Sequence, residues 1–236
     1  MSSPLDRRAF FGNTALAAAA TVAATLPSAS ASAADLKVAV PAPYAFRQMT
    51  FDAKLVKGMS SKLLVSHYEN NYKGAVKRLN AIQAQLAALD WATAPVFVIN
   101  GLKREQLIAM NSMILHELYF DALSDEGGDP KGALAVAIKR DFGSIEQWRA
   151  EFSAIGKAEG GGSGWVILSY SPRDKRLVNC WAADHTMMLA GGVPILVLDM
   201  YEHAYHMDYG AKAGDYVDAF MQGIRWDSPS RIFESL

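Results

Sequence analysis

Apolar residues between positions 60 and 123 recur at helical spacing in two long segments. In the first, residues 60–89, one broad face carries Leu63, Leu64, His67, Asn71, Ala75, Leu79, Ile82 and Leu86. Pro95 and Gly101 then interrupt the pattern. A second helix is predicted for residues 103–123, and its apolar face carries Leu107, Met110, Ile114 and Leu118. Together the two segments predict a long helical hairpin.

The second half of the chain changes from helical to strand spacing. Residues 132–142 are predicted to be helical, and Ser144 with Gln147 forms a capping box for the helix that follows. Two strands joined by a tight turn come next. The continuous apolar run "VPILVLD" predicts a third strand that is buried on both faces. Residues 214–226 are predicted to form a further helix.

The order of these elements predicts an α+β fold. We expect an N-terminal long helical hairpin, residues 34–125, packed on a C-terminal α/β lobe, residues 126–236. The lobe holds a three-stranded antiparallel sheet surrounded by helices. A chain of 236 residues, 51% of them hydrophobic, is long enough to bury such a core. The net charge of −1 does not suggest a nucleic-acid partner. Cys180 is the single cysteine, which excludes an intrachain disulfide.

The N-terminus has the features of a secretory signal. Arg7 and Arg8 precede an uncharged, Ala-rich stretch, and small residues follow it. We interpret residues 1–33 as a signal peptide of the twin-arginine type, with cleavage after Ala31 or Ala33. A membrane anchor is the less favoured alternative, because the stretch consists of Ala, Thr and Gly rather than Leu and Ile. The expected location is the bacterial periplasm, with no membrane contact after cleavage.

Three histidines and one aspartate form a candidate metal site. His67 and His116 lie midway along the two predicted helices, while Asp199 ends the third strand and His203 follows four residues later. Three imidazoles and one carboxylate suit Fe, Mn or Zn. A histidine on an apolar helix face is, however, more often a hydrogen-bonded core residue than a ligand. An aspartate that ends a buried strand can likewise be satisfied by capping a helix.

Four stretches of the sequence resemble the iron/manganese superoxide dismutase family: "GGDPKG", "FGSIEQWRAEF", "GGGSGWVIL" and "DMYEHAYHMDY". The resemblance runs from about residue 55 to the C-terminus. It implies that His67, His116, Asp199 and His203 bind one Fe or Mn ion per chain. It also implies an enzyme that converts superoxide to dioxygen and hydrogen peroxide.

The same resemblance implies roles for residues around the ion. His185 would hydrogen-bond the metal-bound solvent, and it would do so alone, because Ser112 is too short to share that role. Trp165 and Tyr201 would belong to the aromatic cage, Tyr201 standing where the family has Trp. Glu202 would bridge a homodimer by bonding the partner's His203.

Several positions depart from the family pattern. Ala75 replaces the tyrosine at the mouth of the substrate funnel, and Asn71 replaces the funnel histidine. On an ideal helix Tyr72 lies about 140° from His67, so it is not expected to take the place of the missing tyrosine. We expect His206 to pair with Asn71 of the partner, as a swapped version of the family's contact. An expected arginine falls at Ala213, and its loss should slow the attraction of superoxide by up to about tenfold.

These departures predict altered or reduced activity. The alternative is a non-catalytic, exported protein that binds iron or manganese on the same fold. A zinc hydrolase is a third and less favoured hypothesis, because Asp184 is the one loose candidate for its general base.

Overall fold

A computed structural model describes residues 42–125 and 127–236. The signal peptide predicted for residues 1–33 lies outside the described residues. The α-helices are α1 Ser61–Ser66, α2 Lys73–Ala87, α3 Val96–Asp121, α4 Gly132–Phe142, α5 Ile145–Ala158, α6 His206–Tyr209, α7 Ala213–Gln222 and α8 Asp227–Glu234. The strands are β1 Trp165–Ser171, β2 Arg176–Ala182 and β3 Val193–Asp199.

The first arm of the hairpin is one continuous helical run with a π-helical turn in its middle. The Ser60 side chain caps α1 by accepting a hydrogen bond from the Leu63 amide, 3.1 Å away. A π-helix, His67–Tyr72, joins α1 to α2. The predicted core positions of this arm are buried, apart from a half-buried Asn71, which confirms the helix predicted over residues 60–89. π-turns often mark functional positions, and this one begins at His67.

The second arm, α3, differs from its prediction in two ways. It begins at Val96 rather than at residue 103. Proline is tolerated at the position just before a helix, which Pro95 occupies, and Gly101 is tolerated inside the helix. The predicted apolar face was wrong at Leu107 and Ile114, which are exposed, whereas Met110 and Leu118 pack against the core. The side chains that α3 does bury are Ala109, Ser112, Met113, Leu115, His116, Tyr119 and Phe120. This helix has apolar residues on several faces, so packing decides which face is buried.

The three strands form an antiparallel sheet, as predicted, and their order is β2-β1-β3. The register pairs Trp165, the first residue of β1, with Asp199 at the end of β3 and with Ala182 at the end of β2. These three residues therefore share one rim of the sheet. His185 follows β2 and His203 follows β3, so the connections that leave this rim carry both histidines.

The remaining helices surround the sheet. The bounds of α4 match the prediction, and Ser144 caps α5 by accepting from the Gln147 amide, 3.1 Å away. The helix predicted for residues 214–226 corresponds to α7, which ends four residues earlier, at Gln222, and α8 was not predicted. The chain leaves the helix at Gly223, and Ile224 pairs with Leu123 in an isolated β-bridge. A short 3₁₀ turn, Glu202–Ala204, and α6 were not predicted.

The hairpin and the sheet lobe contribute to a shared hydrophobic core. Among its fully buried members are Leu63 of α1, Tyr119 of α3, Leu198 of β3 and Phe220 of α7. The boundary between residues 125 and 126, proposed from the sequence as a domain division, stays a prediction. In the described part of the chain, every helix is too short or too polar to cross a membrane.

Candidate metal centre

Four separate elements carry the four candidate ligands to one point. His67 is the first residue of the π-helix, and His116 lies near the end of α3. Asp199 is the last residue of β3, and His203 lies in the 3₁₀ turn that follows. The fold therefore brings the hairpin to the rim of the sheet where β3 ends.

The ligand atoms of these residues converge on the Asp199 carboxylate. Asp199 Oδ2 lies 3.1 Å from His67 Nε2, 3.5 Å from His116 Nε2 and 3.2 Å from His203 Nε2. The four ligand atoms lie within 4.8 Å of one another. His67, His116 and Asp199 are almost wholly buried, whereas the side chain of His203 is 26% exposed. The structure thus brings together the four residues that the sequence singled out.

Hydrogen bonds outside the site orient His116 and Asp199, and within the site Asp199 Oδ2 is in hydrogen-bond contact with His67 Nε2 and His203 Nε2. His116 Nδ1 donates to the Ser112 carbonyl oxygen at 2.6 Å, so its lone pair is on Nε2. That nitrogen is buried and has no hydrogen-bond partner among the described residues. Asp199 Oδ1 accepts from the Tyr201 amide at 2.9 Å, which leaves Oδ2 for the site. A core histidine with a purely structural role would satisfy both ring nitrogens, so this arrangement favours a metal ligand.

The electrostatics of the site keep the ligands in their metal-binding forms. Burial acts to raise the pKa of the Asp199 carboxyl, but His203 and His67 outweigh it and hold that pKa well below its usual range. Burial, with neighbouring His67, lowers the pKa of His116 to about 3. Burial also lowers the pKa of His67. At neutral pH Asp199 is therefore ionised and His67 and His116 are neutral, the states that bind metal ions.

Aromatic side chains surround the ligands. The Trp165 indole Nε1 donates to His185 Nδ1 at 3.0 Å. The Tyr201 ring stacks on both His185 and His203, at centroid distances of 4.8 and 5.3 Å. The Trp165 ring also meets His116 edge-on at 5.2 Å. The three residues predicted to surround the ion are therefore all next to it, and Asn111 Nδ2 holds the His185 loop by donating to the His185 carbonyl oxygen at 2.5 Å.

The three residues predicted at the dimer interface differ in their exposure to solvent. Glu202 and His206 are exposed in the single chain, on either side of His203 in the sequence. Asn71 is half-buried and lines a cavity.

This cavity, about 290 Å³ in volume, reaches the candidate metal site. The residues that line it are Asn70, Asn71, Gly74, Ala75, Arg78, Ile108, Ala109, Ser112, His116, His185 and His203. Ala75 lies on the wall where a tyrosine would narrow the passage. Tyr72 does not line the cavity, and the sequence likewise predicted that it would not take the place of the missing tyrosine. The angle used for that prediction assumed an α-helix, whereas the chain forms a π-helix there.

Three features of the site region were missed in the sequence. Arg78 lines the cavity, one turn beyond Ala75, and its spacing of seven residues from Asn71 is the signal that could have revealed it. A polar network joins Arg47, Glu117 and Tyr72 behind the ligands. Glu159 is buried, and neither carboxyl oxygen makes a hydrogen bond of normal geometry with the described residues.

Fold and site together define a mononuclear metalloprotein. An α+β chain holds a buried set of three imidazoles and one carboxylate, and an open cavity leads to it. These are borderline ligands, which suit first-row transition metals rather than Ca²⁺ or Mg²⁺.

Comparison with known proteins identifies the family. Residues 130–231 match the C-terminal domain of iron/manganese superoxide dismutases. "Superoxide dismutase [Fe]" of Cupriavidus metallidurans is 66% identical over 190 residues, which are 80% of this chain and 96% of that protein. "Superoxide dismutase [Mn] 2" of Haloferax volcanii is 36% identical, covering 82% and 94%. "Superoxide dismutase [Fe]" of Aquifex pyrophilus is also 36% identical, covering 76% and 86%.

The chain belongs to the iron/manganese superoxide dismutase family. It is an enzyme of that class, and its cofactor is one Fe or Mn ion per chain, for which the His67, His116, Asp199 and His203 group provides the site.

Proposed function

We propose that the protein converts superoxide to dioxygen and hydrogen peroxide at this site, as an exported homodimer with activity below that usual for the family. The observation that carries the proposal is the convergence of four ligand atoms within 4.8 Å at the inner end of an open cavity. His67, His116, Asp199 and His203 would hold an Fe or Mn ion, which would supply the one-electron chemistry that dismutation of superoxide requires. The residues of the chain bind the ion, admit the anion and hold the protons.

His185 is the residue best placed to hold a proton beside the ion. Because the Trp165 indole can only donate, His185 Nδ1 must accept, and the ring proton of the neutral imidazole is therefore on Nε2. Burial lowers the pKa of His185, which keeps the ring neutral at physiological pH. We expect Nε2–H to donate to solvent in the cavity that His185 lines. His185→Ala should shift the reduction potential of the bound metal as well as lower the rate, whereas a residue that only packs would leave the potential unchanged.

Reduced activity follows from the residues that line the passage. Ala75 and Asn71 stand where the family has a phenol and an imidazole, so the cavity is wider and has lost one acidic O–H group. A missing proton donor near the site slows proton transfer to the product.

A dimer contact is supported by the exposure of one ligand. The side chain of His203 is 26% exposed in the single chain, while the other three ligands are buried. We infer that Glu202 of one protomer hydrogen-bonds the partner's His203 and so covers it. His206 would then face the partner's Asn71. His206→Phe should weaken dimerisation or activity, measured by light scattering and by rate. No change in either would make His206 an ordinary surface residue.

Export is supported by the N-terminal sequence alone. Arg7 and Arg8 precede an uncharged stretch and small residues, in the order that twin-arginine signals require. Replacing both arginines with lysine should retain the precursor in the cytoplasm. Sequencing the N-terminus of the exported protein should reveal cleavage after Ala31 or after Ala33, and a protein that keeps residues 1–33 would contradict the proposal.

The central experiment combines metal analysis with a superoxide assay on the same purified sample. We expect close to one Fe or Mn ion per chain and a rate well above that of the free metal. Asp199→Asn, matched in size, should lose metal while its circular dichroism remains that of a folded protein. A metal-loaded protein no faster than free metal would overturn the proposed activity.

A further inference from the structure

The cavity beside the metal site carries one formal charge among the described residues that line it. That charge belongs to Arg78 of α2, whose side chain is 57% exposed. Asn71, Ala75 and Arg78 are spaced by four and three residues, so they follow one another along the same helix face. Because residue 75 is only an alanine, the side chain at 75 does not block the way from Arg78 to His116 and His203.

The ion-pair partner of Arg78 also pairs with a second cation. Arg78 and Arg104 both form ion pairs with Glu105, each with a different carboxylate oxygen. Two guanidinium groups therefore share one carboxylate. Asp184 interacts electrostatically with Arg104 and with His185, but it does not line the cavity. Its Oδ1 accepts from the Thr186 amide and hydroxyl, both at 2.6 Å.

We propose that Arg78 guides small monovalent anions, superoxide in particular, through the cavity to the metal. The inference rests on the proposed dismutase function for its substrate. Arg78 would supply the positive charge that this chain lacks at Ala213, where the resemblance to the family implies an arginine. A fixed charge in a cleft with low-dielectric walls concentrates its field and raises the local concentration of anions.

Kinetic measurements on charge variants test the guiding role. The second-order rate of superoxide loss is measured at limiting substrate over a range of ionic strength, per bound metal ion. Arg78→Ala should lower the rate at low salt by up to about tenfold and flatten its salt dependence. Arg78→Lys should restore much of the rate, because it keeps the charge. Glu105→Gln should raise the rate, because it removes the competing carboxylate.

Arg173→Ala is the matched control. It removes the same charge from the β1–β2 turn, and Arg173 does not line the cavity. Its rate should stay within about twofold of the wild type.

Azide binding gives a second readout that does not depend on turnover. Azide is a small monovalent anion, and its affinity for the iron-loaded protein is obtained from the visible absorption spectrum. Arg78→Ala should weaken azide binding, and Arg173→Ala should not. If the wild type fails to dismutate superoxide but azide affinity still depends on Arg78, the anion site stands and the proposed function fails. If the wild type is active and Arg78→Ala keeps its rate, salt dependence and azide affinity, the role of Arg78 is overturned.

Discussion

Ala75, at the scale of single residues, lies on the wall of the open cavity near His116 and His203. Ala75→Tyr should narrow the passage and return a phenol O–H to the neighbourhood of the ion. We expect dismutation per bound metal to rise several-fold, because the phenol can help deliver protons. Ala75→Phe is the matched control, since it fills the same space without the hydroxyl. Equal rates for the two variants would contradict a proton-transfer role and would indicate an effect of cavity width alone.

Glu159 is the residue whose ionisation opposes folding. Burial raises the pKa of Glu159 to about 8 and the charge of Asp199 adds to this, against a smaller lowering by the backbone of Ala182. The raised pKa stabilises the fold below pH 4.5, and this stabilisation is lost as the pH rises to about 8. Glu159→Gln should therefore increase the free energy of unfolding by about 1–3 kcal/mol at pH 8 and change it little at pH 5. Urea denaturation at the two pH values checks this, and equal gains at both would contradict it.

The surroundings of Glu159 show why such a residue is hard to predict from sequence. Gly164 has φ +156°, and a Cβ there would lie 2.6 Å from Glu159 Oε1. The same position would lie 2.7 Å from the carbonyl oxygen of Ala182 at the end of β2, so these surroundings form only when β2 meets the loop after α5. Asp199 and His203, in contrast, lie in a stretch that resembles a known family, and His67 and His116 lie midway along two predicted helices, so the sequence alone indicates all four ligands. Arg78 was missed because its importance depends on the small size of Ala75 and on the cavity beside it.

At the scale of elements, the π-helix His67–Tyr72 connects the metal site to the segment that precedes the hairpin. The Tyr72 hydroxyl accepts from the Arg47 amide at 2.7 Å and donates to Glu117 Oε1 at 2.9 Å. Tyr72→Phe removes both bonds and should lower the free energy of unfolding by about 1–3 kcal/mol. Tyr44→Phe removes the same atom from an exposed side chain and should change it by less than about 0.5 kcal/mol. Chemical denaturation of the two variants measures both changes in unfolding free energy. Equal changes would exclude a stabilising role for the network.

Element by element, the success of prediction follows the strength of the local pattern. The strands and α4 have clear periodicity and turn residues at their ends, so their positions were predicted closely. For α3, apolar residues on several faces concealed which face is buried, and Leu107 and Ile114 were assigned wrongly. The 3₁₀ turn Glu202–Ala204 is too short to show any period, although it positions His203. It packs against the π-helix and α6, and the local sequence does not encode these contacts.

At the scale of the whole molecule, the metal site joins the hairpin to the sheet lobe. His67 and His116 come from the two arms of the hairpin, and Asp199 and His203 come from the lobe. A metal ion that binds the folded chain and not the unfolded one must stabilise the entire structure. The metal-free protein, in contrast, brings buried imidazoles together with no ion between them, so its stability should depend on their protonation.

Metal-free protein should lose stability as the pH falls below 6.5. Burial, with His67 beside it, lowers the pKa of His116 from 6.5 to about 3, and burial also lowers that of His67. Between these pH values the unfolded chain binds more protons than the folded one, so the free energy of unfolding decreases as pH decreases. The slope should approach about 1.4 kcal/mol per pH unit for each buried histidine. Denaturation at fixed protein concentration from pH 7 to 4.5 measures it. His116→Gln should reduce the slope of unfolding free energy against pH by the contribution of one histidine, because glutamine does not titrate. An unchanged slope would show that other groups control the acid lability of the fold.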